Sequence, residues 1–309
     1  MKKTSAAGIS IASNITLVLA KLFVGLLTNS ISIISEAIHS TLDLVAAVMA
    51  YFAVRGSQKP PDEGHPFGHG KFENISGLFE GLLIFVAAGI IFYESIEKII
   101  TKSPVENLPA GLAVMAFSAV VNIFVSRILT RVAKESGSVA LEADAAHLTT
   151  DVYSCVGVFG GLAVVYITGN TVFDPITACI VAIFITHLAY TTSAKSIGGL
   201  MDASISKDDE ERIRTIIKKY DTELVDFHGL RTRSSGNQHH IDMHITVSKF
   251  RSLGDVHILC DIIETDIDSD FRDTIVLIHP EPCDAVCDKC RIKDYCPDAG
   301  RGNKGNPLQ

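Results

Sequence analysis

Charge is scarce where a water-soluble protein would need it. Residues 1–200 hold 12 Lys or Arg and 14 Asp or Glu, whereas the shorter remainder, 201–309, holds 15 and 21. The first part is too apolar for an ordinary aqueous surface, and the second is too charged to enter lipid. That split excludes a purely soluble enzyme and a pure membrane channel. Basic patches are missing as well, and a net charge of −8 argues against nucleic acid as a partner. No internal repeat is visible, and no linker is rich in Gly and Ser. The first apolar stretch lacks the small-residue cleavage site of a signal peptide.

Six apolar stretches are present, at roughly 8–27, 33–54, 76–96, 108–130, 139–167 and 173–194. Each is long enough to cross about 30 Å of hydrocarbon as a helix. Basic residues gather at Lys2 and Lys3, at Arg55, Lys59 and Lys71, and at Arg127, Arg131 and Lys134, while 28–32 and 168–172 carry none. Positive charge stays on the cytoplasmic side, so a multi-pass protein of the cell (inner) membrane with both termini cytoplasmic is expected. Asp174-Pro175 suits the start of the sixth helix, with Asp174 as its N-cap. Composition changes near Asp202. The expected regions are a six-span transmembrane domain over 1–201, a cytoplasmic metal-binding and dimerisation domain over 202–282, and a Cys-rich tail over 283–309.

Two spans break the apolar rule in the same way. The second places His39 and Asp43 four residues apart, and the fifth does so with His147 and Asp151. Residues i and i+4 share a helix face. If the two faces meet, two nitrogens and two carboxylates suit a tetrahedral dication, zinc above all. One such pair alone would more simply satisfy itself inside a bundle. Two on different spans, at about 2.5 kcal/mol or more for each ionisable group in lipid, call for an offsetting cation. Glu36 and Asp144 lie two turns from Asp43 and Asp151, where a cavity-lining role fits better than ligation. His187, alone on its span, reads as a packed or pore-lining histidine.

Between spans two and three, Asp62, His65 and His69 fall within eight residues of a Gly- and Pro-rich loop. On residues alone, a metal site there stands slightly above a solvated loop. After Asp202, the segment from Ser206 reads as an amphipathic helix with Ser206 as N-cap. Two strands follow, around VDFHGLRTR and HHIDMHITV, then a helix over GDVHILCDIIETDI and a strand over DTIVLIHPE. In the second strand Ile241, Met243, Ile245 and Val247 share one face, leaving His240, Asp242, His244 and Thr246 on the other. The order αββαβ implies an α+β domain, a small sheet with helices on one face. Of seven cysteines, Cys155, Cys179 and Cys260 read as small buried hydrophobes. Cys283, Cys287, Cys290 and Cys296 form a C-x3-C-x2-C-x5-C tail. That tail suits a zinc or iron–sulfur ligand set first, and redox-active or unoccupied thiols second.

The paired H-x-x-x-D motifs, the six spans and the loop GHPFGHGKFE together resemble the cation diffusion facilitator family of divalent-metal/proton antiporters, over residues 1 to about 283. The resemblance implies a membrane all-α six-helix bundle followed by a small cytoplasmic αββαβ domain of ferredoxin-like or metallochaperone-like type. It makes His39, Asp43, His147 and Asp151 the transport site, and the His at its first position resembles zinc and cadmium carriers, so that Zn2+ is favoured, with Cd2+, Co2+, Ni2+, Fe2+ and Mn2+ as the other candidate cargoes. It adds a loop site at Asp62, His65 and His69. It further adds a binuclear zinc site at His228, His244, His257, His279 and Glu281, where relatives carry Asp at the last position. Lys71 and Asp202 match a pair that braces a homodimer. The expected function is export of divalent metal ions, Zn2+ as cargo and as a structural or regulatory ion, in exchange for protons across the lipid bilayer. A membrane-anchored metal sensor without translocation is the alternative. An intramembrane metallohydrolase ranks last, because four ligands leave no position for water, and no enzyme activity is expected.

Overall fold

The computed structural model describes residues 1–28, 31–101, 109–170, 172–271 and 273–284, together with Cys290, Ile292 and Cys296. Two compact units divide between Met201 and Asp202.

The first unit holds six helices, α1 (Lys3–Thr28), α2 (Ile31–Ser57), α3 (Phe72–Thr101), α4 (Pro109–Ser136), α5 (Val139–Thr168) and α6 (Phe173–Leu200). All six contain stretches long and apolar enough to cross a membrane. Most outrun the expected spans, α3 by four residues at its start and five at its end, because a helix does not stop where the hydrocarbon does. Lipid is as apolar as Leu, so packing must come from close approach of small residues. Accordingly Ala6, Ala7, Ala133, Ala140 and Ala145 sit in a core shared by α1, α2, α4 and α5, and Ile84 and Ala88 of α3 meet Ile185 and Ala189 of α6 in another. A methyl group added at Gly77 would lie 2.5 Å from Ser196 Oγ, so only glycine lets α3 and α6 come this near.

Helix ends follow local chemistry. Ser138 caps α5, its side chain accepting from the Leu141 N–H, and Gly169 closes the helix in the left-handed conformation. Asp174 does not cap α6. Val172 occupies that position without a side-chain hydrogen bond, and Asp174 sits one residue inside the helix. There its carboxylate lies 3.7 Å from Lys98 Nζ on α3, which gives it a partner of opposite charge instead of backbone N–H groups. Buried Glu73 ties four helices at one end, accepting from Lys3 at 3.2 Å, Ser57 at 2.8 Å and Ser138 at 2.5 Å. His187 is exposed on the outer face of α6, because the core-facing stripe runs through Ala182, Ile185 and Ala189.

The second unit runs α7 (Lys207–Lys218), β1 (Asp226–Ser235), β2 (Gln238–Val247), α8 (Leu253–Asp270) and β3 (Thr274–Pro282), the αββαβ order. Ser206 caps α7 and Ser252 caps α8 through the same side-chain acceptor. The sheet order is β1-β2-β3, with β1 antiparallel and β3 parallel to β2. Ile241, Met243, Ile245 and Val247 turn to one face and join Ile213, Ile216, Ile217, Leu259, Ile263 and Ile267 of the two helices in a single core. Both helices therefore cover that face, and the alternate residues of the strands stand on the other. His239, at the start of β2, approaches the ring of core residue Phe271 edge-on.

Candidate metal centres

The bundle brings α2 and α5 together through their polar faces. His147 Nε2 lies 3.0 Å from Asp43 Oδ1, and His39 Nε2 lies 4.0 Å from the same oxygen. Ligand atoms of His39, Asp43 and Asp151 all fall within 4.8 Å of one another. Zinc bonds of about 2.0 Å would set tetrahedral ligands about 3.3 Å apart, so this three-residue group is of the right size for one ion, and His147, the fourth predicted ligand, stands outside it against Asp43. Asn122 of α4 donates to Asp151 Oδ2 at 3.0 Å, leaving Oδ1 for other work. The His39 side chain is 45% exposed, because it opens on a cavity of about 380 Å³ lined by His39, Asp43 and Asp151.

Three further groups belong to this centre. Glu36 lines the cavity and receives Lys21 Nζ at 3.2 Å, the same ammonium donating to Ser40 at 2.7 Å. Asp144 is buried instead, and is not among the residues lining that cavity. Glu80 of α3 is also wholly buried, with one oxygen 3.8 Å from His147 Nδ1. Lys21 and Glu80 escape notice in the sequence because neither has an ionisable partner one helical turn away on its own span. The signal is still there, since any ionisable residue at membrane depth is a candidate functional group.

In the loop, Asp62 bridges two imidazoles, 3.2 Å from His65 Nδ1 and 3.3 Å from His69 Nε2. The His65 N–H donates to Asp62 Oδ1 at 2.7 Å, and chiefly this bond holds the Asp62 carboxyl below the usual carboxylate range. His69 is buried against Phe72, its ring parallel to the phenyl at 5.8 Å, while His65 is exposed. The three ligand atoms fall within the same 4.8 Å limit.

In the second unit, strand register lines up His228, His244 and His279 on one rung of the sheet. Neighbouring ring centroids are 5.3 and 4.9 Å apart. A bulge between His228 and Arg231 puts Gly229 at φ +65°, and a methyl group there would come 3.2 Å from the His244 ring. Glu281, two residues further along β3, reaches His244 Nδ1 at 2.8 Å and His228 Nε2 at 3.4 Å, with His279 at 4.0 Å. The hydrogen bond with His244, with the nearby imidazoles, keeps the Glu281 carboxyl below its ordinary range. Ligand atoms of His228, His244 and Glu281 group within 4.8 Å, so the longer Glu arm does reach. His257 stands on α8 and pairs with Asp261 at 3.6 Å. Because α8 covers the opposite face, one chain does not bring His257 to Glu281.

Lys71 donates to the Leu200 carbonyl at 3.2 Å, and Asp202 accepts from Arg233 at 3.1 Å. In the tail, Cys287 lies outside the described residues, while Cys283, Cys290 and Cys296 are free thiols. Cys155 and Cys260 are buried and Cys179 is half-buried.

Residues 7–201 match the cation efflux transmembrane domain, and residues 205–283 match the cytoplasmic domain of cation efflux proteins. An uncharacterised transporter of Synechocystis, sll1263, is 34% identical over 83% of each chain. The cation-efflux pump FieF of Shewanella oneidensis is 29% identical over 88% of this chain and 92% of its own. A solved structure of CzrB in its zinc form shares 26% identity, covering 26% of this chain and 90% of that one, at a TM-score of 0.25. With one family model spanning well over half of its residues and a second covering most of the rest, the chain belongs to the cation efflux, or cation diffusion facilitator, family of membrane transporters.

Proposed function

We propose that the protein exports Zn2+ from the cytoplasm in exchange for protons, working as a homodimer with both termini cytoplasmic in the cell (inner) membrane. The observation that carries this reading is the grouping of His39, Asp43 and Asp151 at the wall of a cavity within the bundle, with His147 against Asp43 at 3.0 Å. Two imidazoles and two carboxylates are a zinc-like set, with no thiol for softer ions and too few oxygens for Ca2+. Ligation requires neutral imidazole and ionised carboxylate, so metal and protons compete for the same atoms. Loading from the cytoplasm expels protons, and exposure to a more acidic exterior returns them and releases the ion. The helices would rock about a site that stays assembled.

The loop at Asp62, His65 and His69 and the sheet site at His228, His244, His279 and Glu281 act as accessory zinc sites, with Lys71 and Asp202 as the dimer brace. FieF, of the same family, is described as a cation-efflux pump, which supports outward movement. The test is purified protein in proteoliposomes with a pH-sensitive dye inside. Zinc on one side should drive protons toward it, and Asp43→Ala should abolish the signal. Zinc binding with no movement of either ion in the wild type would instead favour the anchored sensor.

A further inference from the structure

Glu80 sits in the first third of α3 on the stripe that faces the bundle interior, beside Gly77, Gly81 and Ile84. Its side chain is wholly buried, and neither carboxylate oxygen has a hydrogen-bond partner. His147 Nδ1 is likewise buried without one. These two orphans face each other, with Glu80 Oε2 3.8 Å from Nδ1, and a small rotation of either side chain closes them to hydrogen-bond length. A desolvated carboxylate left unpaired is strongly unfavourable, so its position against a ring nitrogen needs a reason.

The other nitrogen of the same ring supplies that reason. His147 Nε2 is the atom that meets Asp43, one of the proposed ligands. A neutral imidazole carries a single N–H, so a proton on Nδ1 leaves the Nε2 lone pair free for metal. Metal-binding histidines commonly give their second N–H to a carboxylate, which fixes both tautomer and ring orientation. We propose that Glu80 is the positioning residue of the intramembrane centre, accepting the Nδ1–H of His147 so that Nε2 points at the ion. The proposal deepens the reading of that centre as a zinc site and rests on it. It also gives α3, which contributes none of the four ligands, a direct mechanical hold on one of them. A helix movement that shifts α3 against α5 would then tilt a ligand.

The test uses the full-length chain in detergent, with zinc affinity read by equilibrium titration so that translocation does not enter. Binding elsewhere on the chain is measured on an Asp43→Ala/Asp151→Ala variant and subtracted. Glu80→Met, which keeps the volume and removes the carboxylate, should weaken intramembrane zinc binding about 10- to 100-fold. Glu80→Gln, whose amide oxygen still accepts, should recover most of that loss. In a His147→Ala background Glu80→Met should add little, because the group it acts through is gone. Wild-type affinity in Glu80→Met overturns the proposal, and so does an undiminished extra loss in the His147→Ala background. A second measurement does not depend on the variants folding. In zinc-loaded wild type, 15N spectra of labelled histidine should show His147 protonated at Nδ1 and metal-bound at Nε2, and the reverse arrangement overturns the proposal. Should the Asp43→Ala/Asp151→Ala chain bind as much zinc as the wild type, the zinc site itself fails, which is a different result from a failure of Glu80.

Discussion

The bundle and the sheet build their candidate metal centres from the same groups, imidazole and carboxylate, by different geometry and in different surroundings. In the bundle, spacing of four along α2 and along α5 stacks each His over an Asp, and packing of the two helices joins the pairs. Buried neighbours on α3 and α4, Glu80 and Asn122, stand behind the ligands. In the sheet, alternation and register set three histidines side by side, and their side chains are 37% to 65% exposed. Water solvates the sheet groups whether or not a metal is bound. In the bundle Asp43, His147 and Glu80 are buried, so each must be ionised beside a cation, hydrogen-bonded, or protonated, and only His39 opens widely on the cavity. The proposed exchange of a metal for protons would draw on that burial, while the exposed centre would bind and release with small consequences for the fold.

That contrast orders the expected effects. The largest belongs to Asp151→Ala, which should reduce zinc uptake by everted vesicles to background while leaving zinc binding by the C-terminal unit intact. Glu73→Ala comes next. It strands half-buried Lys3 and removes a buried acceptor shared by α1, α2 and α5, at a cost of about 3 kcal/mol to the bundle, read by unfolding in detergent. No exposed carboxylate of the sheet should approach that figure. Within the sheet centre, His244→Ala should weaken zinc binding by about tenfold or more, and His279→Ala by less, because Glu281 lies 2.8 Å from the first and 4.0 Å from the second. Isothermal titration separates the two.

The same centre should lose zinc on acidification. Glu281 is held below the usual carboxylate range, so it stays ionised through the mildly acidic region and the imidazoles govern. Affinity should fall steadily on acidification, because protons compete with the metal for each coordinating imidazole nitrogen. A profile flat from pH 7.5 to 5.5 would show that histidine does not bind the metal. The smallest effect is Gly229→Ala, which forces a side chain into a left-handed backbone and toward the His244 ring, and should cost about 1 kcal/mol in thermal unfolding.

Much of this was legible from the sequence, for a physical reason that differs between the two units. Six apolar stretches and two H-x-x-x-D pairs are local patterns, and a helix turns local spacing directly into a shared face. What escaped was whatever depends on a neighbour. Glu80 and Lys21 have their partners on other helices, so nothing on their own spans singles them out. The same blindness applies to Asp174, whose sequence suits a cap but whose partner is Lys98, and to His187, whose face of α6 turns outward. In the sheet, alternation along β2 separates core from polar positions, yet the alignment of His228, His244 and His279 needs the register and the bulge at Gly229. The family resemblance grouped His257 with them, whereas within one chain α8 carries it to the far side of the sheet.

Anomalous diffraction at the zinc edge from zinc-loaded crystals of the full-length chain addresses the shared buried ion most directly. A single peak between α2 and α5, about 2.0 to 2.2 Å from one atom each of His39, Asp43, His147 and Asp151, is the expected result. Zinc density confined to the loop and the sheet, with those four side chains turned apart at the same zinc concentration, would contradict it.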